Sequence, residues 1–291
     1  MTKQDFKTLC TNNLLILDGS TGSALQKAGM PGGVCPEQWI LEHPDTLRKL
    51  QNDYIEAGSH ILYAPTFGAN RPKLAEHGLE GRLSEINAAL VALTKEIAAN
   101  RAYVAGNLSM CGQMLEPYGD LEFEELVDVY KEQISCLSRA GVDLLVAETL
   151  MDLEEAKAVL IAAGEVTDIP MIITMTFAEN GRTLFGNDAK TVAAILAEAG
   201  ADAVGANCGA GPDSMTGIIT DMASACSLPL VAKPNAGLPT LNAAGETIYD
   251  MGAADFAGHM QTLIHAGARL IGGCCGTDAS YIAQLKVICD T

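Results

Sequence analysis

The chain has 291 residues, of which 48% are hydrophobic and 19% charged, a balance that suits a folded globular protein and excludes a disordered or fibrous one. Its 36 acidic and 18 basic side chains give a formal net charge of -18, which repels phosphate backbones and anionic lipid, so neither nucleic acid nor a membrane is an expected partner. The longest apolar stretches, such as Leu14 to Leu17 and Met171 to Ile173, fall far short of the ~20 residues that span a bilayer.

From the N-terminus, Met1 to Cys10 is polar and lacks the apolar core and cleavage site of a secretory leader, which points to the cytoplasm. Strands are predicted at Leu14–Leu17, His60–Ala64, Ala102–Ala105, Asp143–Ala147, Pro170–Met175, Asp202–Ala206, Pro229–Ala232 and Arg269–Gly273. Helical periodicity fills the gaps, at Pro44–Ala57, Leu83–Ala99, Phe123–Ala140, Leu153–Ala163, Asp188–Ala199, Asp213–Ala225, Ala254–Ala266 and Ala279–Cys289. Continuous apolar strands need helices covering the sheet, so the alternation predicts a (β/α)8 TIM barrel that takes up residues 1–291 as a single domain. An open doubly wound sheet is the alternative. Ala-Gly pairs at Ala57-Gly58, Ala140-Gly141, Ala199-Gly200 and Ala266-Gly267 are helix stops at the barrel bottom.

In such barrels the chemistry sits at the carboxyl ends of the strands. Those ends carry Asp18, Thr66, Asn107, Glu148, Phe177, Cys208, Asn235 and the pair Cys274-Cys275. Neighbouring strand residues point to opposite faces, so Cys274 and Cys275 share one ion only if the backbone turns there. Gly272, Gly273 and Gly276 bracket the pair and permit that turn. Cys208 closes the sixth strand, roughly 10 Å from the eighth at ~4.8 Å per strand, and Asn235 tips the strand between them. Three thiolates and one amide oxygen describe an open, catalytic zinc site. The alternatives are ordinary core packing or a vicinal disulfide. Nine cysteines, an odd number, suit reduced thiols or metal ligands better than a disulfide framework, and Cys10, Cys35, Cys136, Cys226 and Cys289 lie away from the strand ends. Zinc held by three thiolates is electron-rich, so it favours alkyl transfer to a bound thiol over hydrolysis.

The loop Asp18, Gly19, Ser20, Thr21 and Gly22 opens into a helical stretch whose backbone N–H groups can take a carboxylate, or simply make the turn. Glu148 and Asp18 face the barrel mouth, where two carboxylates can receive an ammonium group; the alternative is helix capping. Thr149 and Asp152 are better placed than Glu148 to cap the helix near Leu153.

Together, Asp18-Gly19 with Thr21-Gly22, Thr66-Phe67-Gly68-Ala69-Asn70, Glu148-Thr149, Asn207-Cys208, Pro234-Asn235-Ala236-Gly237-Leu238-Pro239 and Gly272-Gly273-Cys274-Cys275-Gly276-Thr277 resemble the homocysteine S-methyltransferase family. The phrases from Thr66 to Glu80 and from Pro234 to Pro239 are most similar to the homocysteine module of cobalamin-dependent methionine synthase. The resemblance implies zinc on Cys208, Cys274 and Cys275, with Asn235 in the fourth place until the homocysteine sulfur displaces it. It further implies that Glu148 and Asp18 hold the amino group, that residues 19–22 hold the carboxylate, and that methionine is the product. No Asp-x-His-x-x-Gly cobalamin signature occurs in the chain, so methylcobalamin is expected only on a partner corrinoid protein. S-methylmethionine or betaine as direct donor, another small thiol as acceptor, and a non-catalytic thiol- or zinc-binding subunit are the competing readings.

Overall fold

In the computed structural model, which describes residues 1–209, 211–242 and 247–290, α1 (Lys3–Asn12) precedes β1 (Leu15–Ile16), α2 (Gly22–Lys27), α3 (Pro36–Glu42) and α4 (Pro44–Ala57). β2 (Ile61–Ala64), α5 (Arg71–Ala75), α6 (Leu83–Ala98), β3 (Tyr103–Leu108), α7 (Phe123–Ala140), β4 (Leu144–Leu150) and α8 (Leu153–Val166) follow. Next come β5 (Met171–Met175), α9 (Ala189–Glu198), β6 (Ala203–Cys208), α10 (Pro212–Ala225) and β7 (Leu230–Pro234). A two-stranded antiparallel hairpin, β8 (Pro239–Leu241) with β9 (Thr247–Tyr249), precedes α11 (Ala253–His265), β10 (Ala268–Ile271) and α12 (Ala279–Cys289).

Eight strands pair in parallel in the order β1-β10-β7-β6-β5-β4-β3-β2. The ring is completed between β1 and β2 by a short seam. His60 N donates to Ile16 O at 2.7 Å, and Ile16 N donates to His60 Nδ1 at 2.9 Å. Nearer the mouth, Tyr63 N donates to Asp18 Oδ2 at 2.8 Å. The fold is a nearly closed (β/α)8 barrel and the open-sheet alternative falls away. None of the described helices is long and apolar enough to cross a membrane.

The period of two along each strand divides the core into two layers. Leu15, Leu17, Ile61, Ala105, Leu144, Val146, Ile172, Ala203, Val231 and Leu270 fill the barrel interior, and their neighbours pack outward under the helices. Phe6 and Cys10, four residues apart on one face of α1, join that interior cluster, so the helix plugs the barrel. Truncating Phe6 to Ala would cost roughly 3–5 kcal/mol.

Local signals set most boundaries. Asn70, Asp152, Asp188 and Asp278 cap helices through their side chains, and Gly58, Gly141, Gly200 and Gly267 take the expected positive φ at helix ends. The strand ends differ from expectation. β3 and β4 run on to Leu108 and Leu150, so Asn107 and Glu148 sit inside strands and not beyond them. Beyond the predicted elements stand α1, α3, α5 and the β8–β9 hairpin.

Candidate metal centre and adjoining pocket

The same period of two that fills the interior carries on toward the mouth. Counting in twos from Ile61, Ala105, Val146, Ala203 and Val231, the inward positions nearest the carboxyl ends are Tyr63, Asn107, Glu148, Asn207 and Lys233. Polar side chains thus replace the apolar plug in the top layer, and each of the five is buried.

Cys208, Cys274 and Cys275 converge above that layer. Their sulfurs all lie within 4.8 Å of one another, with Cys208 Sγ and Cys274 Sγ 2.9 Å apart. Among the described residues this is the one group of three or more His, Cys, Asp or Glu side chains placed to hold a metal ion. Local backbone shape brings the sulfurs together. Cys208 adopts φ +57, a left-handed conformation uncommon outside glycine, which turns its side chain off the line of β6. After β10, Cys274 N donates to Pro234 O, and a turn closed by Thr277 N on Cys274 O, with Gly276 at φ +84, carries Cys275 off the line of the strand.

The thiol protons are strongly divided. Hydrogen bonds to Cys274 and Cys275 push Cys208 far above the ordinary thiol range, whereas bonds from Cys208 and Cys274 draw Cys275 well below it. Three sulfurs this close cannot all be thiolates without a cation among them, and soft thiolate donors suit zinc.

Three neighbours fix the cluster. Buried Asn235 accepts from Cys275 N at 3.0 Å through Oδ1 and donates to Gly209 O at 2.6 Å, tying the two cysteine-bearing loops together. Its carbonyl oxygen keeps a second lone pair. Asn207 reaches across β5: its Oδ1 accepts from Thr174 Oγ1 and Thr149 N, and its Nδ2 donates to Thr149 Oγ1 at 2.8 Å. This secures the irregular stretch of β4 in which Thr149 takes φ +62 and three residue steps oppose two on β5, a bulge beside Glu148. Tyr249, from β9, stands beside Cys275, and its ring lies 2.4 Å from where a Cβ on Gly276 would stand, so only glycine fits there.

The cluster opens into a cavity of about 320 Å³ lined by Asp18, Gly19, Ser20, Thr21, Gly22, Glu148, Lys233 and all three cysteines, among others. Every sequence-predicted site residue except Asn235 therefore lines one space; Asn235 buttresses it from between the loops. Gly19 is required for close approach, since a Cβ there would meet the Tyr54 ring at 2.7 Å. Tyr54 in turn donates its hydroxyl to Ser20 O at 2.6 Å. Thr66 and Phe177, though at strand ends, do not line the cavity.

Four buried polar atoms at this cavity lack a hydrogen-bond partner: Asp18 Oδ1, Asn107 Oδ1, Glu148 Oε2 and Tyr63 Oη. Three of them can only accept while the carboxyl groups are ionised. Burial pushes the Asp18 carboxyl up to about 6, against the opposing pull of Lys233. Burial likewise raises Glu148, whose Oε1 accepts from Asn107 Nδ2 at 2.8 Å. Burial alone would lower the Lys233 ammonium, but Glu148 and Asp18 hold it well above the ordinary range.

Sequence reasoning gave no role to Lys233, to Asn207 (noted only beside Cys208 in the family resemblance), to Tyr63 or to Tyr249. The first three were within reach, because the strand period that puts Val231 inside also puts Lys233 inside. Tyr249 belongs to an exposed hairpin with no such signal.

Fold and site together define a (β/α)8 barrel with a thiol cluster able to hold a metal ion at its mouth. The family model described as homocysteine S-methyltransferase matches residues 15–289, and the chain belongs to that family. It is 26% identical over 301 residues to methionine synthase from Mycobacterium leprae (strain TN) and 27% identical over 303 residues to that of Mycobacterium tuberculosis (strain ATCC 25618 / H37Rv), each alignment covering 97% of this chain. The chain spans 25% of the length of these two curated relatives. Among solved structures, the metallated form of the homocysteine methyltransferase MmuM from Escherichia coli superposes with a TM-score of 0.78 at 23% identity, covering 95% of this chain and 96% of that one, a likeness of fold.

Proposed function

We propose that residues 1–291 form a homocysteine-binding barrel that moves a methyl group to the thiol of homocysteine, giving methionine, with zinc as its metal. What carries the reading is one cavity lined both by a three-thiol cluster and by buried acceptors that lack a hydrogen-bond partner. Homocysteine has the matching ends, a thiol and an ammonium group with three donors and no acceptor.

Cys208, Cys274 and Cys275 would hold zinc, and the free lone pair of Asn235 Oδ1 offers a fourth, replaceable donor. Bound zinc supplies the means to keep a substrate thiol deprotonated yet nucleophilic at neutral pH. Glu148 and Asp18 would receive the amino group, and the loop Gly19, Ser20, Thr21 and Gly22 the carboxylate. Two anchored ends leave the sulfur one orientation, and that alignment is the barrel's own share of the catalysis.

The donor we favour is a methylated corrinoid protein acting in trans. Exposed apolar side chains gather on the loops after the strands: Phe67 after β2, Met114 after β3, Leu184 and Phe185 after β5, and Leu241 and Ile248 in the hairpin after β7. A macromolecular donor would cover such a rim, whereas a small diffusing donor has no use for it. The test is methionine formation by the zinc-loaded chain with homocysteine and, separately, a methylated corrinoid protein, S-methylmethionine or betaine. Turnover with a small donor alone would overturn the corrinoid assignment. Homocysteine binding without methionine from any donor would leave a thiol-binding subunit, not an enzyme.

A further inference from the structure

Lys233 is the one cationic side chain among the described residues that line the cavity. It stands on β7 two residues above Val231, and its side chain is 5% exposed. The ammonium lies 3.4 Å from Asp18 Oδ1 and 4.9 Å above the centre of the Tyr63 ring. Its stem runs past Gly272, where an added Cβ would stand 2.8 Å from Leu17 Cβ, 2.9 Å from Asp18 O and 3.4 Å from Lys233 Cγ. The lysine is therefore packed in place on several sides.

Its neighbours are the two carboxylates given above to the substrate's amino group. Glu148 keeps one buried oxygen without a hydrogen-bond partner, and the Asp18 oxygen on the same cavity meets only the Lys233 ammonium. Two carboxylates in one desolvated cavity repel one another, and without a cation one of them takes up a proton or swings away. A single ammonium in that cavity, in contact with Asp18, offsets one negative charge and leaves one for the incoming ligand.

We propose that Lys233 is a positioning residue for amino-acid recognition: its ammonium, seated on Tyr63, holds Asp18 and Glu148 in place as paired acceptors for the substrate's amino group. The inference rests on the amino-acid reading of the pocket and extends it to a residue that does not itself touch the metal. It makes the preference for an aminated thiol depend on a group that carries the same charge as the amine it helps to bind.

The test compares two thiols on the zinc-loaded protein by calorimetry: homocysteine, and 4-sulfanylbutanoate, which has the thiol and carboxylate but no amine. In Lys233→Met, homocysteine should bind about tenfold more weakly or worse, while 4-sulfanylbutanoate changes by less than about twofold. Should the methionine variant fail to fold, Lys233→Gln keeps a donor toward Asp18, and the same ratio is read. Equal losses for both thiols would reduce Lys233 to a structural element and overturn the proposal. Tighter homocysteine binding would also overturn it, by showing that the lysine competes for the carboxylates. Wild-type protein that binds neither thiol would sink the amino-acid reading itself, a result visible before any variant is made.

Discussion

Cys208 Sγ and Cys274 Sγ stand 2.9 Å apart although they are 66 positions apart in the chain. Tetrahedral zinc with ~2.3 Å bonds holds its sulfurs ~3.8 Å apart, so loading the metal would open this pair slightly without moving either loop far. Cys208→Ala and Cys274→Ala should each lose stoichiometric zinc, measured on the purified protein by metal analysis, and lower methyl transfer by at least ~100-fold. Full activity in a zinc-free variant would refute the metal assignment.

Glu148→Gln tests the amino-group assignment from the other side. The glutamine keeps a carbonyl for Asn107 Nδ2 but loses the charge. Removing a charge-assisted bond costs about 1.5–3 kcal/mol, so KM for homocysteine should rise roughly 10- to 100-fold with a smaller change in kcat. An unchanged KM would remove Glu148 from the binding site.

Asp18 should give amino-acid binding an acid limb. Burial raises its carboxyl to about 6, so it is ionised at neutral pH and becomes protonated as pH falls through that value. Methionine has the ammonium without a thiol, so its dissociation constant isolates this step. Affinity should hold steady above about pH 7 and weaken below about pH 6, and Asp18→Asn should flatten the profile. A flat wild-type profile would contradict it.

The seam carries a separate pH dependence, of stability. His60 Nδ1 accepts from Ile16 N, which the protonated ring cannot do, and burial lowers the His60 pKa below its ordinary value of 6.5. With the folded value below the unfolded one, this contribution is complete above pH 6.5 and is lost as pH falls through the folded value. Urea unfolding midpoints should drop on that acid limb, and less so in His60→Asn.

The rim can be tested apart from the pocket. Leu184→Asp and Leu241→Asp place charges on exposed positions that do not line the cavity. Both should reduce kcat/KM for a methylated corrinoid protein by about tenfold while leaving the homocysteine dissociation constant unchanged. Equal turnover with wild type would move the docking surface elsewhere.

How much of this was legible beforehand follows from where each signal resides. α4, α6 and α7 carry long periodic apolar faces and end close to the predicted bounds. α1 buries only Phe6 and Cys10, too few positions to stand out as a period. Cys208 and Asn235 could be placed because strand ends in a barrel are ordered around a ring. The hydrogen bond from Cys275 to Asn235 and the placing of Tyr249 against Gly276 depend on loop conformations that no periodicity encodes. Lys233 was overlooked because a lone lysine in a short apolar run reads as a frayed end until the strand's inward register is counted.

Asp18 serves two structures at once, with one oxygen stitching β2 to the end of β1 and the other turned toward the cavity. A change of ligand that discards this carboxylate would also unpick the join, whereas Glu148, whose bonded oxygen takes only the Asn107 side chain, can be exchanged with less collateral damage. Redesign of this barrel toward amine-free thiols would best begin at Glu148 and leave Asp18 untouched.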